Sequence, residues 1–97
     1  MRIIAKRTLR EFWQRYLDAE ELLLAWYREV EQEDWDSSTK VKAKYRNASI
    51  VGDNRVVFNI KGNAYRLVVK INCRYRVVYI RFVGAHAEYD RISVKEV

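Results

Sequence analysis

The stretch Val56–Asp90, VVFNIKGNAYRLVVKINCRYRVVYIRFVGAHAEYD, decides the fold. Two runs rich in β-branched and aromatic residues, Tyr65–Ile71 and Arg76–Val83, are long enough for strands, with Asn72–Tyr75 as the loop between them. Side chains alternate along a strand, so Tyr65, Leu67, Val69 and Ile71 share one face and Arg66, Val68 and Lys70 the other. Val56, Phe58 and Ile60 upstream match Val78, Ile80 and Phe82 downstream in character, leaving Asn59, Lys61, Tyr79 and Arg81 to the polar side. The pattern predicts one apolar sheet face and one face carrying Asn59, Lys61, Arg66, Lys70 and Arg81. The last strand runs out into GAHAEYD, residues 84–90, which holds the only histidine, His86.

Upstream, Ser49–Val51 reads as a first strand turned by Gly52-Asp53-Asn54 into Arg55–Ile60, and Gly62-Asn63 as a two-residue hairpin turn into Tyr65–Ile71. Further back, Ser37 or Ser38 offers a cap for a short third helix through Lys44, where Lys40, Lys42, Lys44 and Arg46 interleave with Val41, Ala43 and Tyr45 in a pattern that alternates like a strand as much as it coils like a helix; helix is the favoured reading. EQEDWDSS, residues 31–38, has no periodicity and reads as a loop with Trp35 either exposed or anchoring. Two amphipathic helices precede it. Thr8 offers an N-cap with Glu11 at the capping-box position, and Leu9, Phe12, Trp13, Tyr16 and Leu17 form one stripe. Asp18 offers a second cap before Leu23, Trp26, Tyr27 and Val30, and the two helices are hinged near Asp18 or continuous. Arg2–Ala5 is an edge strand or a lead-in. The class expected is α+β, a single domain over residues 1–97 with N-terminal helices packed on a small antiparallel sheet.

Composition narrows the function. A lone Cys73 and a single His exclude an internal disulfide, make a structural zinc site a poor fit, and suit a reducing, cytoplasmic setting with no metal or cofactor. The opening MRIIAKRTLREFW has no apolar run long enough for a signal peptide or a membrane span. The net charge of +6 is uneven: residues 1–36 carry nine acids and six bases, residues 37–97 four acids and thirteen bases. Such a concentration of Lys and Arg is the footprint of a module that meets phosphates, against the plainer reading of solubility.

His86 follows Gly84 at a strand end, where loops present functional side chains, and an imidazole is suited to proton transfer near neutral pH. Tyr89 shares its side if the segment makes a helical turn, and Arg66 and Arg81 bring positive charge. These types suit cleavage of RNA without a metal: a base for the 2′-hydroxyl proton, an acid for the 5′-oxygen, and cations for the charge developing on phosphate. Tyr79 or Tyr89 could stack on an unpaired base.

The strings RIIAKRTLREFW (2–13), YRNASIV (45–51), VVFNIKGNAYRLVVKIN (56–72) and YIRFVGAHAEYD (79–90) resemble the HigB family of bacterial toxins, within the RelE-like toxin–antitoxin ribonucleases. The resemblance implies a compact α+β domain that cleaves messenger RNA on the translating ribosome. It also implies neutralisation by a HigA-type helix-turn-helix antitoxin, through which DNA is met only indirectly. It places the family's sheet arginine at Arg66, supporting the scissile phosphate, and gives acid–base roles to His86 and Tyr89. Asn59, Lys61, Lys70, Tyr79 and Arg81 are then RNA or ribosome contacts. The chain departs from the family pattern at Ala85, where Thr is common, and at Thr39-Lys40-Val41, where the third helix commonly opens on an acidic residue. Competing readings are a non-catalytic RNA- or ribosome-binding module and a toxin remnant that acts through its antitoxin. A recognition helix for DNA is a poorer fit, because the N-terminal helices carry apolar stripes and acids.

Overall fold

The computed structural model describes residues 1–97. In chain order the elements are β1 (Arg2–Ile4), α1 (Lys6–Arg15), α2 (Glu20–Glu31), α3 (Ser38–Lys44), β2 (Ser49–Val51), β3 (Arg55–Ile60), β4 (Tyr65–Asn72), β5 (Val77–Ala85) and α4 (His86–Tyr89), with a 3₁₀ turn at Leu17–Ala19. The strands form one sheet in the order β1-β5-β4-β3-β2. The expected antiparallel meander is present from β2 to β5, but the N-terminal strand joins β5 in parallel, Ile3 opposite Val78, so the sheet is mixed. The α+β architecture therefore stands, with Arg2–Ile4 resolved as an edge strand.

Helix α1 starts at Lys6 and not at a Thr8 cap; Thr8 lies inside it, and Glu11 pairs with Arg7 one turn earlier at 2.7 Å. Leu9, Phe12 and Trp13 are buried as the stripe predicts. Leu17 is not, at 73 % exposed, because the helix ends at Arg15 and the 3₁₀ turn rotates Leu17 outward. Asp18 caps nothing. Its carboxylate accepts from Lys61 Nζ and from the Tyr65 hydroxyl, each at 2.5 Å, and so ties the hinge between α1 and α2 to the β3–β4 hairpin. Those two donors hold the Asp18 carboxyl below its ordinary range, Lys61 most strongly. The same carboxylate pushes Tyr65 up to about 12.

One core collects the helices and one sheet face: Leu23, Trp26 and Val30 of α2 meet Phe58, Leu67 and Val69, and Trp35, 1 % exposed, anchors the loop beneath Tyr45 and Phe58. Tyr65, Leu67, Val69 and Ile71 occupy that face as the alternation requires. Two local expectations fail. The β3–β4 connection is a four-residue loop between the paired Ile60 and Tyr65, with left-handed backbone at Lys61 and Gly62, and not a two-residue Gly62-Asn63 turn. In β5 the register slips, Val68 pairing with Phe82 and Val69 with Ile80, so Arg81 is a bulge residue. Past the bulge the faces exchange. Val83 and Ala85 pack on the core, while Phe82 moves to the face expected to be polar.

That second face is consequently banded. Val57, Val68 and Phe82 form an apolar row across it, with Val57 and Val68 buried although they lie outside the main core. Asn59, Arg66 and Gly84 form the row at one end, and Arg55, Lys70 and Tyr79 the row at the other. Residues 91–97 run back from α4 over this face, Lys95 reaching Gly52 and the Val97 main-chain oxygen accepting from Arg55 at 2.8 and 3.2 Å.

The hinge knot gives a stability profile with two limbs. Asp18 has a lowered folded-state value, so its contribution is present above the ordinary 3.8 and is lost as pH falls through the folded value. Tyr65 has a raised one, so its contribution is present below 10.0 and is lost as pH rises toward about 12. Urea midpoints of Asp18→Asn should lie below wild type at neutral pH, with the gap closing below the carboxylate range and again above pH 10.0. A gap independent of pH would contradict the knot.

Candidate active site at the end of the sheet

The exit of β5 and the start of β4 meet because Arg66 pairs with Gly84 and Tyr65 with Ala85. The His86 amide then donates to the Ala64 carbonyl at 3.0 Å, so α4 starts beside the β3–β4 loop. Glu88, third in the helix, accepts from the Ala85 amide at 3.1 Å and from the Tyr16 hydroxyl at 3.3 Å, fixing the one-turn helix to α1 as well. Gly84 lies close under Phe82 here. A Cβ on it would stand 2.5 Å from Phe82 Cζ, because the bulge has laid that ring over it.

On this frame the Arg66 guanidinium lies over the Tyr89 ring, 5.8 Å from its centroid. It is steadied from below by Asn63, whose main-chain oxygen accepts at 3.1 Å and whose side-chain oxygen lies at 3.5 Å. His86 Nδ1 sits 3.0 Å from Asp90 Oδ2, one helical turn on. Both side chains are about half exposed, so the pair orients the ring more than it stabilises the fold. Arg66 and Tyr89 thus meet in one contact, and the His86–Asp90 pair brackets the same one-turn helix that carries Tyr89.

The other residues singled out from sequence are distributed as follows. Asn59 stands opposite Arg66 on β3, its amide 3.5 Å from the Asn47 carbonyl. Lys61 turns to Asp18. Lys70 pairs across the strands with Tyr79, and with Arg81 and Arg74 they line a cleft of about 530 Å³ at the far end of the face. That cleft is separated from Arg66 by the row through Val68, roughly 13 Å along the strand. The bulge is what turns Arg81 toward it, where its Nε is 3.3 Å from the Val97 main-chain oxygen.

Asp90, Asn63 and Glu88 were not among the residues singled out. The i, i+4 spacing of His86 and Asp90 on a helical turn is the signal that marks the first; Asn63 and Glu88 act through contacts that only the folded chain creates.

A mixed five-stranded sheet backed by N-terminal helices is consistent with the RelE-like toxin fold. The family model described as HigB_toxin, the RelE-like toxic component of a toxin–antitoxin system, matches residues 19–92, and the chain belongs to that family. A search of curated proteins finds no match. The matched span contains Arg66, His86, Tyr89 and Asp90 and begins one residue after Asp18. Membership implies an antitoxin partner. No helix is long and apolar enough to cross a membrane.

The packing of Phe82 on Gly84 is directly testable. Gly84→Ala should lower stability by about 1–3 kcal/mol through overpacking, measured by urea unfolding, and Phe82→Leu in the same chain should recover part of that loss. Equal destabilisation in both backgrounds would show that the ring is not the obstacle.

Proposed function

We propose that the chain is a ribosome-dependent endoribonuclease that cuts translated messenger RNA without a metal, using the 2′-hydroxyl next to the scissile phosphate as nucleophile. The observation that supports this reading is the contact of the Arg66 guanidinium with the ring of Tyr89, which stands on the one-turn helix opened by the Asp90-paired His86 at the end of a basic sheet. The toxin family supplies its context.

The step balances with the chain's own groups. His86 Nδ1 faces Asp90 at 3.0 Å, which leaves Nε2 as the ring nitrogen turned to the RNA, and Nε2 takes the 2′-hydroxyl proton. The 2′-oxygen bonds to phosphorus, the bond from phosphorus to the 5′-oxygen breaks, and that oxygen takes a proton from Tyr89. The products are a 2′,3′-cyclic phosphate and a 5′-hydroxyl. Arg66 holds the phosphate and meets the charge that grows on its equatorial oxygens. Asp90 is a positioning residue. Lys70, Tyr79 and Arg81 hold the strand or the ribosome away from the reacting bond, Asn59 lies beside Arg66 for the same use, and Lys61 serves the RNA only where its pair with Asp18 opens. Neutralisation falls to a HigA-type antitoxin, with cytoplasmic action on ribosomes.

The alternative of a non-catalytic RNA- or ribosome-binding module uses the same basic face without needing the His86–Asp90 pair. The two separate cleanly. His86→Ala and Arg66→Ala should each reduce cleavage by roughly 10²–10⁴-fold while leaving urea midpoints near wild type, and Asp90→Asn should cost less than either. Inducible expression in a bacterial host, read as growth and mapped messenger-RNA ends, checks this. Arrest that survives both His86→Ala and Arg66→Ala would move the activity elsewhere.

A further inference from the structure

A second concave surface lies away from the end of β5. On α2, Leu23, Trp26 and Val30 are buried, yet Leu22 remains 42 % exposed and Ala25 stands exposed one turn on, so the helix is apolar on more than its core side. Across from it β2 stops pairing with β3 at Ser49 and Val57, and the chain parts from Phe58–Ile60 through Tyr45–Ala48. The gap is a groove of about 410 Å³ with Trp26, Phe58 and Ile60 in its apolar walls. The indole nitrogen of Trp26 has no hydrogen-bond partner within the chain.

Its charge is one-sided. The single acid in the lining, Glu29, is committed to the Tyr45 hydroxyl at 2.6 Å. Neighbouring cations on α3 are committed too, Lys40 to Asp36 and Lys42 to the Ala48 carbonyl. Lys44 and Arg46 are not: both line the groove and neither makes an ion pair or a side-chain hydrogen bond. An apolar cleft rimmed by two uncommitted cations complements an acidic segment with an apolar anchor.

We propose that this groove seats an acidic segment of the antitoxin, one apolar side chain resting on Leu22 and Ala25 and its flanking carboxylates pairing with Lys44 and Arg46. The proposal rests on membership of the toxin family, which implies an antitoxin, and not on the ribonuclease reading. Single-stranded RNA fits the groove less well. The rings of Trp26 and Phe58 are 3 % and 2 % exposed, so neither offers a face for a base to stack upon. A second copy of the chain would bring Lys44 and Arg46 against a groove of the same sign.

The test is binding of the purified chain to its cognate antitoxin, read as a dissociation constant at low and high salt. Leu22→Glu and the double variant Lys44→Glu/Arg46→Glu change exposed positions, and thermal unfolding verifies that each still folds. Both should weaken the complex by roughly tenfold or more, the double variant losing most of the salt dependence, while Lys44→Arg/Arg46→Lys keeps wild-type affinity. Antitoxin affinity unchanged in both Leu22→Glu and the charge-reversed double variant overturns the proposal. So does a loss confined to RNA binding, or a dimer of the isolated chain that Leu22→Glu disperses in sedimentation. Cleavage plays no part in the readout, so a chain that cuts no RNA leaves the binding result intact.

Discussion

The register of β4 against β5 is the constraint on which the rest of the molecule depends. Pairing Arg66 with Gly84 ends β5 where α4 can begin, and the Ala64 carbonyl accepts the first helical amide. The bulge at Arg81 exchanges the faces of the strand just before that point. Without it, Phe82 would enter the core and Val83 and Ala85 would be turned away from it. With it, the helix core is completed by Val83, and Phe82 instead shelters Val68 on the far face. The same extra residue that keeps the core apolar thus divides the basic face into two ends.

The two halves of the chain are opposite in charge and are tied where they touch. Residues 1–36, the acidic part, form β1, α1 and α2, and their Asp18 takes both Lys61 and the Tyr65 hydroxyl from the basic part. Arg76 likewise meets Asp34 at 2.5 Å. These contacts use acids on the helix side and leave the far sheet face with Arg66, Lys70, Arg74 and Arg81 as its positive field.

Much of this was legible from residue patterns. The alternation from Tyr65 to Ile71 placed four core side chains correctly, and the stripes at Leu9-Phe12-Trp13 and Leu23-Trp26-Val30 placed six more. Phe82 was misplaced because a bulge has no signature in an alternating string such as YIRFV; Gly84, on which the displaced ring rests, gains its meaning only once the register is known. Asp18 resembled a helix cap because Asp is favoured there, but two long-range donors outcompeted the local amides. Arg66, His86 and Tyr89 were expected together from residue type and family resemblance; the fold lays Arg66 on the Tyr89 ring, and the pairing of His86 with Asp90 became visible only when residues 86–89 coiled. Lys61 illustrates the converse: its type suggested RNA, and the fold spends it on the hinge.

The measurement closest to the central claim uses a message carrying one 2′-deoxynucleotide at the position the toxin cuts, presented on translating ribosomes beside its all-RNA counterpart. Attack by the 2′-oxygen predicts that the RNA message is cut to a 2′,3′-cyclic phosphate and a 5′-hydroxyl and that the deoxy message survives. Cleavage of the deoxy message at that position, or 5′-phosphate ends on the normal one, would contradict the account.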